Sequence, residues 1–291
     1  MANRSMIFAG KLPGKAKAGL NTGAIFSQVL LMAAAAATLV PMLWVLVSSF
    51  KDNNQIFAAS FGLPQVWHFE NYARAWIVGN IGACFLNSGL VAVVSVLGIL
   101  YIAAMAAYVL ARYRFRLNFA LYSYFLMGLM IPWASNLLPL FLTLKALQVY
   151  DTLWALILPY VSFELPFAIF ILTGFMKTIP SELEEAALID GGSRWVVFIR
   201  VILPLSKPAL ATVAVLTFLD VWNEYLFALV FLNNPAKFTL PLGLAAFQTA
   251  RVAQYGVIMA GIIISVIPVL ILYGLLQKQV IKGMTAGALK G

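Results

Sequence analysis

Six long apolar runs occupy most of this sequence and restrict its fold more than any other feature. Each run reaches or exceeds the ~20 apolar residues with which a helix crosses a bilayer. Only 10% of the residues are charged and 63% are hydrophobic, whereas charged residues make up about a quarter of a soluble domain. The sequence therefore predicts an all-α membrane protein. We expect six transmembrane helices, over residues 25–50, 85–111, 119–144, 153–176, 209–232 and 257–276.

The basic residues predict the orientation of these helices. Most of the 19 lysines and arginines fall in the N-terminal arm, in the connections after the second and fourth runs, and in the tail. Cytoplasmic segments of membrane proteins carry such an excess of Lys and Arg. Both termini are therefore expected in the cytoplasm, and the net charge of +9 needs no nucleic-acid partner. We predict a basic cytoplasmic arm over residues 1–24, a membrane domain over residues 25–280 and a cytoplasmic tail over residues 281–291.

The connection after the fourth run, residues 177–208, combines helix signals with a glycine, and we call it the hinged segment. Ser181 and Glu184 have the spacing of a capping box, which would begin a helix. Gly191 supplies the positive φ that ends many helices. Apolar residues then recur at helical spacing from Trp195 until Pro204, which should interrupt a second short helix. Such an object suits docking onto a protein partner or resting on lipid headgroups.

Signatures of catalysis and of nucleotide binding are missing from the sequence. The glycines and lysines of the N-terminal arm lack the spacing of a phosphate-binding loop, so the chain is not expected to hydrolyse ATP. The single cysteine, Cys84, excludes an internal disulfide, and the single histidine, His68, argues against a histidine-based metal site. These absences argue against an intramembrane enzyme, and we expect no metal or cofactor in this chain.

Three carboxylates lie well inside the predicted spans and are candidates for function, because ionisable groups are costly there. Asp220 and Glu224 are four residues apart, so they would share one helix face, with Asn223 and Tyr225 nearby. Acids, an amide and an aromatic ring in a row can bind a sugar, and they can equally bond a neighbouring helix. For the third carboxylate, Glu164, we expect a structural role.

The connection between the fifth and sixth runs, residues 233–255, is called the outer segment here. Its composition predicts a semi-ordered loop or a re-entrant hairpin on the outer face. The residues alone favour a passive turn.

Several motifs together resemble the permease subunits of ATP-binding cassette (ABC) importers. Glu185-Ala186-Ala187, followed by Gly191 and by Val201-x-Leu203-Pro204, is similar to the EAA loop of that family, with Val201 where isoleucine is usual. Further matches run through most of the chain from Asn87 onward. The chain resembles the second, six-span subunit of carbohydrate importers of the maltose-permease type.

This resemblance implies a type I importer fold and roles for three sets of residues. An ATPase-coupling loop would comprise Glu184, Glu185, Ala186, Ala187, Asp190, Gly191 and Arg194. The tail residues Lys290 and Gly291 would contact the ATPases. A loop reaching the solute-binding protein would comprise Thr239, Leu240, Pro241, Gly243, Phe247 and Gln248. From the residues themselves, and not from the resemblance, we expect the translocation path to include Asp220, Asn223, Glu224 and Tyr225. In importers of the maltose type the sugar contacts mainly the other permease subunit.

The resemblance also implies the partners and the reaction cycle. A second permease subunit would complete a heterodimer, two ATP-binding cassette subunits would bind ATP-Mg, and an external solute-binding protein would deliver the sugar. The assembly would sit in the cytoplasmic (inner) membrane of a bacterium or archaeon. Two alternatives stay open: a proton-coupled secondary transporter, which should show inverted repeats that this sequence lacks, and an ABC importer of a non-sugar solute such as a glycerol-phosphate compound.

Overall fold

The computed structural model describes residues 22–248 and 254–288, with side chains over residues 26–247 and 254–278. Within these ranges every regular element is helical. The long helices are α1 (Thr22–Ser48), α4 (Ile81–Arg112), α7 (Trp154–Met176), α11 (Lys207–Asn223) and α14 (Tyr255–Ala288). The shorter ones are α2 (Asn53–Ala58), α3 (Glu70–Ile77), α5 (Asn118–Gly128), α6 (Leu137–Ala146), α8 (Glu182–Ile189), α9 (Arg194–Val197), α10 (Leu203–Leu205), α12 (Leu226–Phe231) and α13 (Leu240–Gln248).

The chain divides after Val45 into two compact units, and the sites described below lie in the second unit. Four helices of the described chain, α1, α4, α7 and α14, are long and apolar enough to cross a membrane unaided. Two further candidates are bent pairs, so that the described chain has up to six spans. The all-helical membrane fold is thus confirmed, while the number of crossings and their sidedness stay predictions.

The predicted span over residues 119–144 is broken near its middle. Helices α5 and α6 meet at 92°, with a short 3-10 turn, Trp133–Asn136, between them. Pro132 precedes this turn and has no backbone N–H to continue α5. Gly128 ends α5 against α7, where a Cβ atom would lie 2.8 Å from the Cγ atom of Pro166. A side chain at residue 128 would therefore hold the two helices apart.

The prediction of one helix over residues 209–232 was wrong. Helix α11 ends at Asn223, and α12 begins only at Leu226. The carboxylate of Glu224 accepts hydrogen bonds from the backbone N–H groups of Phe227 (2.6 Å) and Ala228 (3.3 Å). A side chain that binds the start of a new helix stabilises the break.

The core is organised around α4 and α7, which pack along each other. Small buried residues, Ala103 and Ala107 on α4 and Ala168 on α7, allow their backbones to approach closely. One buried cluster joins the first half of α4 to α11, α12, α13 and α14, and a second joins its last half to the hinged segment. Both ends of α4 are therefore packed into the structure.

A tight contact joins the start of α14 to the turn before α2. The side-chain amide of Asn71 donates to the backbone oxygens of Ser49 (2.9 Å) and Lys51 (3.0 Å). A Cβ atom on Gly256 would overlap the Lys51 oxygen and lie 2.7 Å from the Asn71 amide nitrogen. Glycine is required here because the backbones touch.

We expect Gly256→Ala to destabilise the protein by about 1–3 kcal/mol, since overpacked sites must shift their backbone. Thermal unfolding of the detergent-purified protein measures the loss. The matched control is Gly274→Ala on the same helix, where an added Cβ atom meets no atom within 4 Å. Equal melting temperatures for the two variants would contradict the close contact at Gly256.

Candidate functional site

The hinged segment folds as two short helices around a glycine, as the sequence predicts. Helix α8 ends at Ile189, and Gly191 has a φ of +83°. Glu185 and Ala186 lie on the exposed side of α8. Large apolar side chains are also exposed here: Leu183, Leu188, Ile189 and Trp195. The segment therefore presents both charge and apolar surface.

The predicted capping box was wrong. Ser181 makes no side-chain hydrogen bond to α8, and its backbone is already helical. The Glu184 carboxylate instead forms an ion pair with Arg112 at the end of α4 and accepts a hydrogen bond from the Tyr108 hydroxyl (3.3 Å). A charged partner outcompetes the backbone N–H group that a capping box would use.

The ion pair between Arg112 and Glu184 fastens the hinged segment to α4. Each of the two side chains is only 13% exposed. Arg112 also donates to the backbone oxygen of Ile179 (2.8 Å), just before α8. Glu184 is thus occupied within the chain, whereas Glu185 is free to face a partner from the exposed side. The sequence motif does not show that Glu184 and Glu185 have different roles. The position of Arg112 in the structure shows it.

Pro204 does not end the second helix of the hinged segment, contrary to the prediction. A π-helical turn, Phe198–Ile202, follows α9, and α10 continues through the proline to Leu205. The wider turn accommodates the ring, which in a regular α-helix clashes with the carbonyl four residues earlier. The sharp bend comes after Leu205, where α11 turns by 71°. Val197, Phe198 and Ile202 are buried against α4 and α7.

We expect Glu184→Ala to loosen α8, because Arg112 then keeps a charge without its partner. The cost is about 1–3 kcal/mol, below that of breaking a fully buried pair, since both side chains keep some contact with water. Hydrogen exchange of the α8 amides measures the loosening. Glu182→Ala, at an exposed position of the same helix, is the control. Equal exchange in both variants would show that the ion pair does not hold α8.

The outer segment is an ordered structure over its described part. Of the two predicted alternatives, a semi-ordered loop and a re-entrant hairpin, the semi-ordered loop was wrong there. Asn87 on α4 donates to the backbone oxygens of Ala236 (2.9 Å) and Phe238 (3.0 Å). The N–H group of Leu240 donates to the hydroxyl of Ser88 (2.7 Å). These contacts, made by residues about 150 positions apart, fix helix α13 on α4.

The residues predicted to reach a solute-binding protein fall into two groups. Thr239, Leu240 and Gly243 are buried, and Gly243 lies against Cys84, so close that a Cβ atom would overlap the sulfur. Pro241 and Phe247 are half-buried. The side chain of Gln248 lies outside the described residues. The buried members anchor the segment, and a direct contact stays a prediction for the others.

Asp151 supplies a further anchor of the outer segment that sequence reasoning missed. One carboxylate oxygen accepts the N–H groups of Asn233 (2.9 Å) and Asn234 (3.1 Å), and the other lies 3.3 Å from the Lys237 ammonium. Burial raises the pKa of Asp151, but these backbone N–H groups and Lys237 outweigh it and hold the pKa below its usual value. The ionised form is therefore the one that the folded chain stabilises.

A depressed pKa makes the outer segment sensitive to acid. The stabilisation is present above the unfolded-state pKa of Asp151 and is lost as the pH falls through the folded-state value. We expect Asp151→Asn to remove this part of the acid dependence while keeping a residue that tolerates the positive φ at this position. Melting curves of both proteins at neutral pH and near pH 3 test it. A variant as acid-sensitive as the parent would contradict the assignment.

The structure does not place Asp220 and Glu224 on one helix face, although their spacing predicts it. Glu224 leaves the helix that carries Asp220, and its carboxylate accepts a hydrogen bond from the Tyr160 hydroxyl (2.6 Å) besides those from the start of α12. The amide of Asn223 donates to its own helix at Leu219 (2.8 Å). Tyr225 is exposed at the start of α12. Glu224 therefore has a structural place, and Asp220 separates from it.

Asp220 instead shares a cavity with Glu164, for which we expected a structural role. The cavity measures about 600 Å³. Its lining is the broken end of α5, the first residue of the 3-10 turn and one side of α7 and α11: Gly128, Leu129, Met130, Ile131, Pro132, Trp133, Phe163, Glu164, Phe167 and Asp220. Prolines in two of the predicted spans, Pro132 and Pro166, were the sequence signal that could have located it.

The predicted ATPase contacts Lys290 and Gly291 lie outside the described residues. Helix α14 continues to Ala288, eight residues past the predicted domain boundary at residue 280.

The chain and its fold have counterparts among known proteins. Residues 99–286 match the family described as the binding-protein-dependent transport system inner membrane component. The chain belongs to this family. The matched part of this permease includes the hinged segment, the outer segment and the cavity.

The permease has relatives along most of its length. It is 39% identical over 269 residues to the diacetylchitobiose uptake system permease protein NgcG of Streptomyces coelicolor, covering 92% of this chain and 89% of the relative. It is 37% identical to the trehalose/maltose transport system permease protein MalG of Thermococcus litoralis, covering 87% of this chain and 92% of the relative.

A solved structure supports the fold of the permease. The chain superposes with a TM-score of 0.80 on a bacterial ABC transporter involved in the import of the acidic polysaccharide alginate. The two are 25% identical, over 88% of this chain and 96% of that one. The permease is therefore an inner-membrane component with the fold of an ABC transporter subunit.

Proposed function

We propose that this permease is a transmembrane subunit of an ATP-driven carbohydrate importer. The observation that carries the proposal is the hinged segment: an exposed acidic helix and a positive-φ glycine, fastened to α4 by the Arg112–Glu184 ion pair. Relatives whose names give diacetylchitobiose, trehalose and maltose as cargo support a sugar.

In this proposal the hinged segment docks onto one of two ATP-binding cassette subunits. Glu185 pairs with a basic residue of that subunit, and the exposed side chains of Leu188, Ile189 and Trp195 fill an apolar cleft beside it. Such a combination of a charged pair and apolar anchors is typical of a specific interface. Movement of the docked helix is transmitted to α4 through Arg112.

The remaining partners follow from the same arrangement. A second permease subunit completes a heterodimer, so that the open cavity at Glu164 and Asp220 faces the translocation path. A solute-binding protein delivers the cargo on the side of the outer segment, near Phe247 and Gln248. Both termini and the hinged segment lie in the cytoplasm, in agreement with the distribution of basic residues.

The test is uptake by the complete complex in proteoliposomes, with radiolabelled diacetylchitobiose, trehalose and maltose as cargo. We expect uptake to require ATP, and Gly191→Val to lower it about tenfold while ATP hydrolysis continues. The physical reason is that a β-branched residue at a φ of +83° is strained by about 1–3 kcal/mol.

Gly191→Asn is the matched control, because asparagine adopts positive φ more readily than other residues with a side chain. Its uptake should stay close to that of the parent. Uptake that persists without the ATPase subunits and collapses with the proton gradient would overturn the proposal in favour of secondary transport. Undiminished uptake by Gly191→Val would refute the hinge role alone.

A further inference from the structure

The lining of the cavity beside α7 has the features expected of a water-filled path. Between α5 and the 3-10 turn the chain leaves the regular α-helix: the N–H groups of residues 129–131 bond to carbonyls three residues back, and Pro132 is extended. Non-helical backbone at membrane depth persists only where protein buries it or where it lines a polar cavity. Here it lines the same space as the carboxyl groups of Glu164 and Asp220. The break in the helix and the two acids therefore have one explanation.

Glu164 is the unusual member of this site. The residue is buried, with 4% of its surface exposed. No hydrogen-bond donor reaches it from the residues whose side chains the structure describes, and the nearby charge is the acidic Asp220. An unpaired buried carboxylate is costly unless a ligand or water takes its lone pairs. The Glu164 carboxylate can therefore accept hydrogen bonds from a ligand or from water in the cavity.

The charge of the cavity is one-sided. Its lining within the described chain contains two acids and no lysine, arginine or histidine. The cavity is therefore negative whenever either acid is ionised. A ligand that carries its own carboxylate or phosphate would be repelled, while hydroxyl and ammonium groups would find acceptors.

Aromatic rings supply the apolar half of the lining. Trp133, Phe163 and Phe167 border the cavity, and Trp133 is held by Phe163 at 5.4 Å between ring centroids. Ligand sites typically combine such apolar walls with a few polar groups that fix orientation. Sugars have apolar ring faces and a rim of hydroxyl groups, which fit these two kinds of wall.

We propose that the Glu164–Asp220 cavity is a saccharide-binding subsite of the translocation path that admits neutral or basic sugars and excludes acidic ones. The inference rests on the proposed function and adds the chemical class of the cargo. It also separates this permease from the alginate transporter whose fold it shares, since alginate is an acidic polysaccharide.

The first experiment measures the charge of the cavity with thiol reagents in the complete complex. Phe167→Cys is introduced into a Cys84→Ala background, and Cys84→Ala alone serves as the blank because it leaves this chain without a thiol. The probes are the cationic 2-(trimethylammonium)ethyl methanethiosulfonate and the anionic 2-sulfonatoethyl methanethiosulfonate, with each rate divided by that of free cysteine. We expect the cationic reagent to react at least about tenfold faster, as charged clefts favour one sign of ligand.

Matched variants assign the preference to the two acids. Glu164→Gln and Asp220→Asn should each lower the ratio, and together they should bring it to about 1. Glu70→Gln, on α3 and outside the cavity lining, should leave it unchanged. Equal normalised rates for the two reagents, or a preference that survives in the double variant, would overturn the charge filter.

The second experiment asks which sugars occupy the cavity. Whichever of the neutral sugars diacetylchitobiose, trehalose and maltose the wild-type complex imports should slow labelling of Phe167→Cys, as should the basic diglucosamine chitobiose. Digalacturonate should not. Protection by digalacturonate, or none by the imported sugar, would overturn the inference. The proposed function is tested separately from the cavity. It is refuted if no sugar is imported with ATP, and it is retained if import is ATP-driven but the cavity shows no selectivity.

Discussion

The close packing of α4 against α7 is the interaction on which the rest of the structure depends. The small side chains of Ala103, Ala107 and Ala168 let the two backbones approach closely. Close packing matters here because lipid provides no hydrophobic driving force for helices to associate. Helix α4 is 32 residues long, or about 48 Å. At one end Arg112 holds α8, and at the other Asn87 and Ser88 hold the outer segment. One rigid element therefore joins the two segments that partners are proposed to contact.

The satisfaction of backbone hydrogen bonds decides where this bundle can be irregular. Two predicted spans are broken within the described residues, and each break comes with a compensating feature: Glu224 binds the start of α12, and the bend at Pro132 opens onto a cavity with two acids. In the hinged segment, a π-helical turn accommodates Pro204. Lipid offers no substitute partner for a free N–H or carbonyl group. The irregular positions therefore lie where the protein itself supplies hydrogen-bond partners or borders a cavity.

Two adjacent glutamates show that residues with the same local sequence context can have different roles in the tertiary structure. Glu184 and Glu185 are chemically identical neighbours in the first turns of α8. One is turned toward Arg112 and positions the helix, and the other is exposed and available to a partner. The outer segment is divided in a similar way. Its buried residues Thr239, Leu240 and Gly243 anchor the segment, whereas Phe247 lies closer to the surface.

The sequence by itself determined the features that depend on nearby residues. Apolar runs of sufficient length specified a helical membrane protein, and the Glu185 motif with Gly191 specified a hinged helix pair, because hydrophobic length and positive φ are local properties. Only the tertiary structure decided which carboxylates act together. Asp220 and Glu224 lie on one helix by spacing, yet Glu224 turns to Tyr160 and α12, and Asp220 shares a cavity with Glu164, 56 positions away. Spacing along a helix assumes that the helix continues, and the competition of a side chain for backbone N–H groups ended it at Asn223.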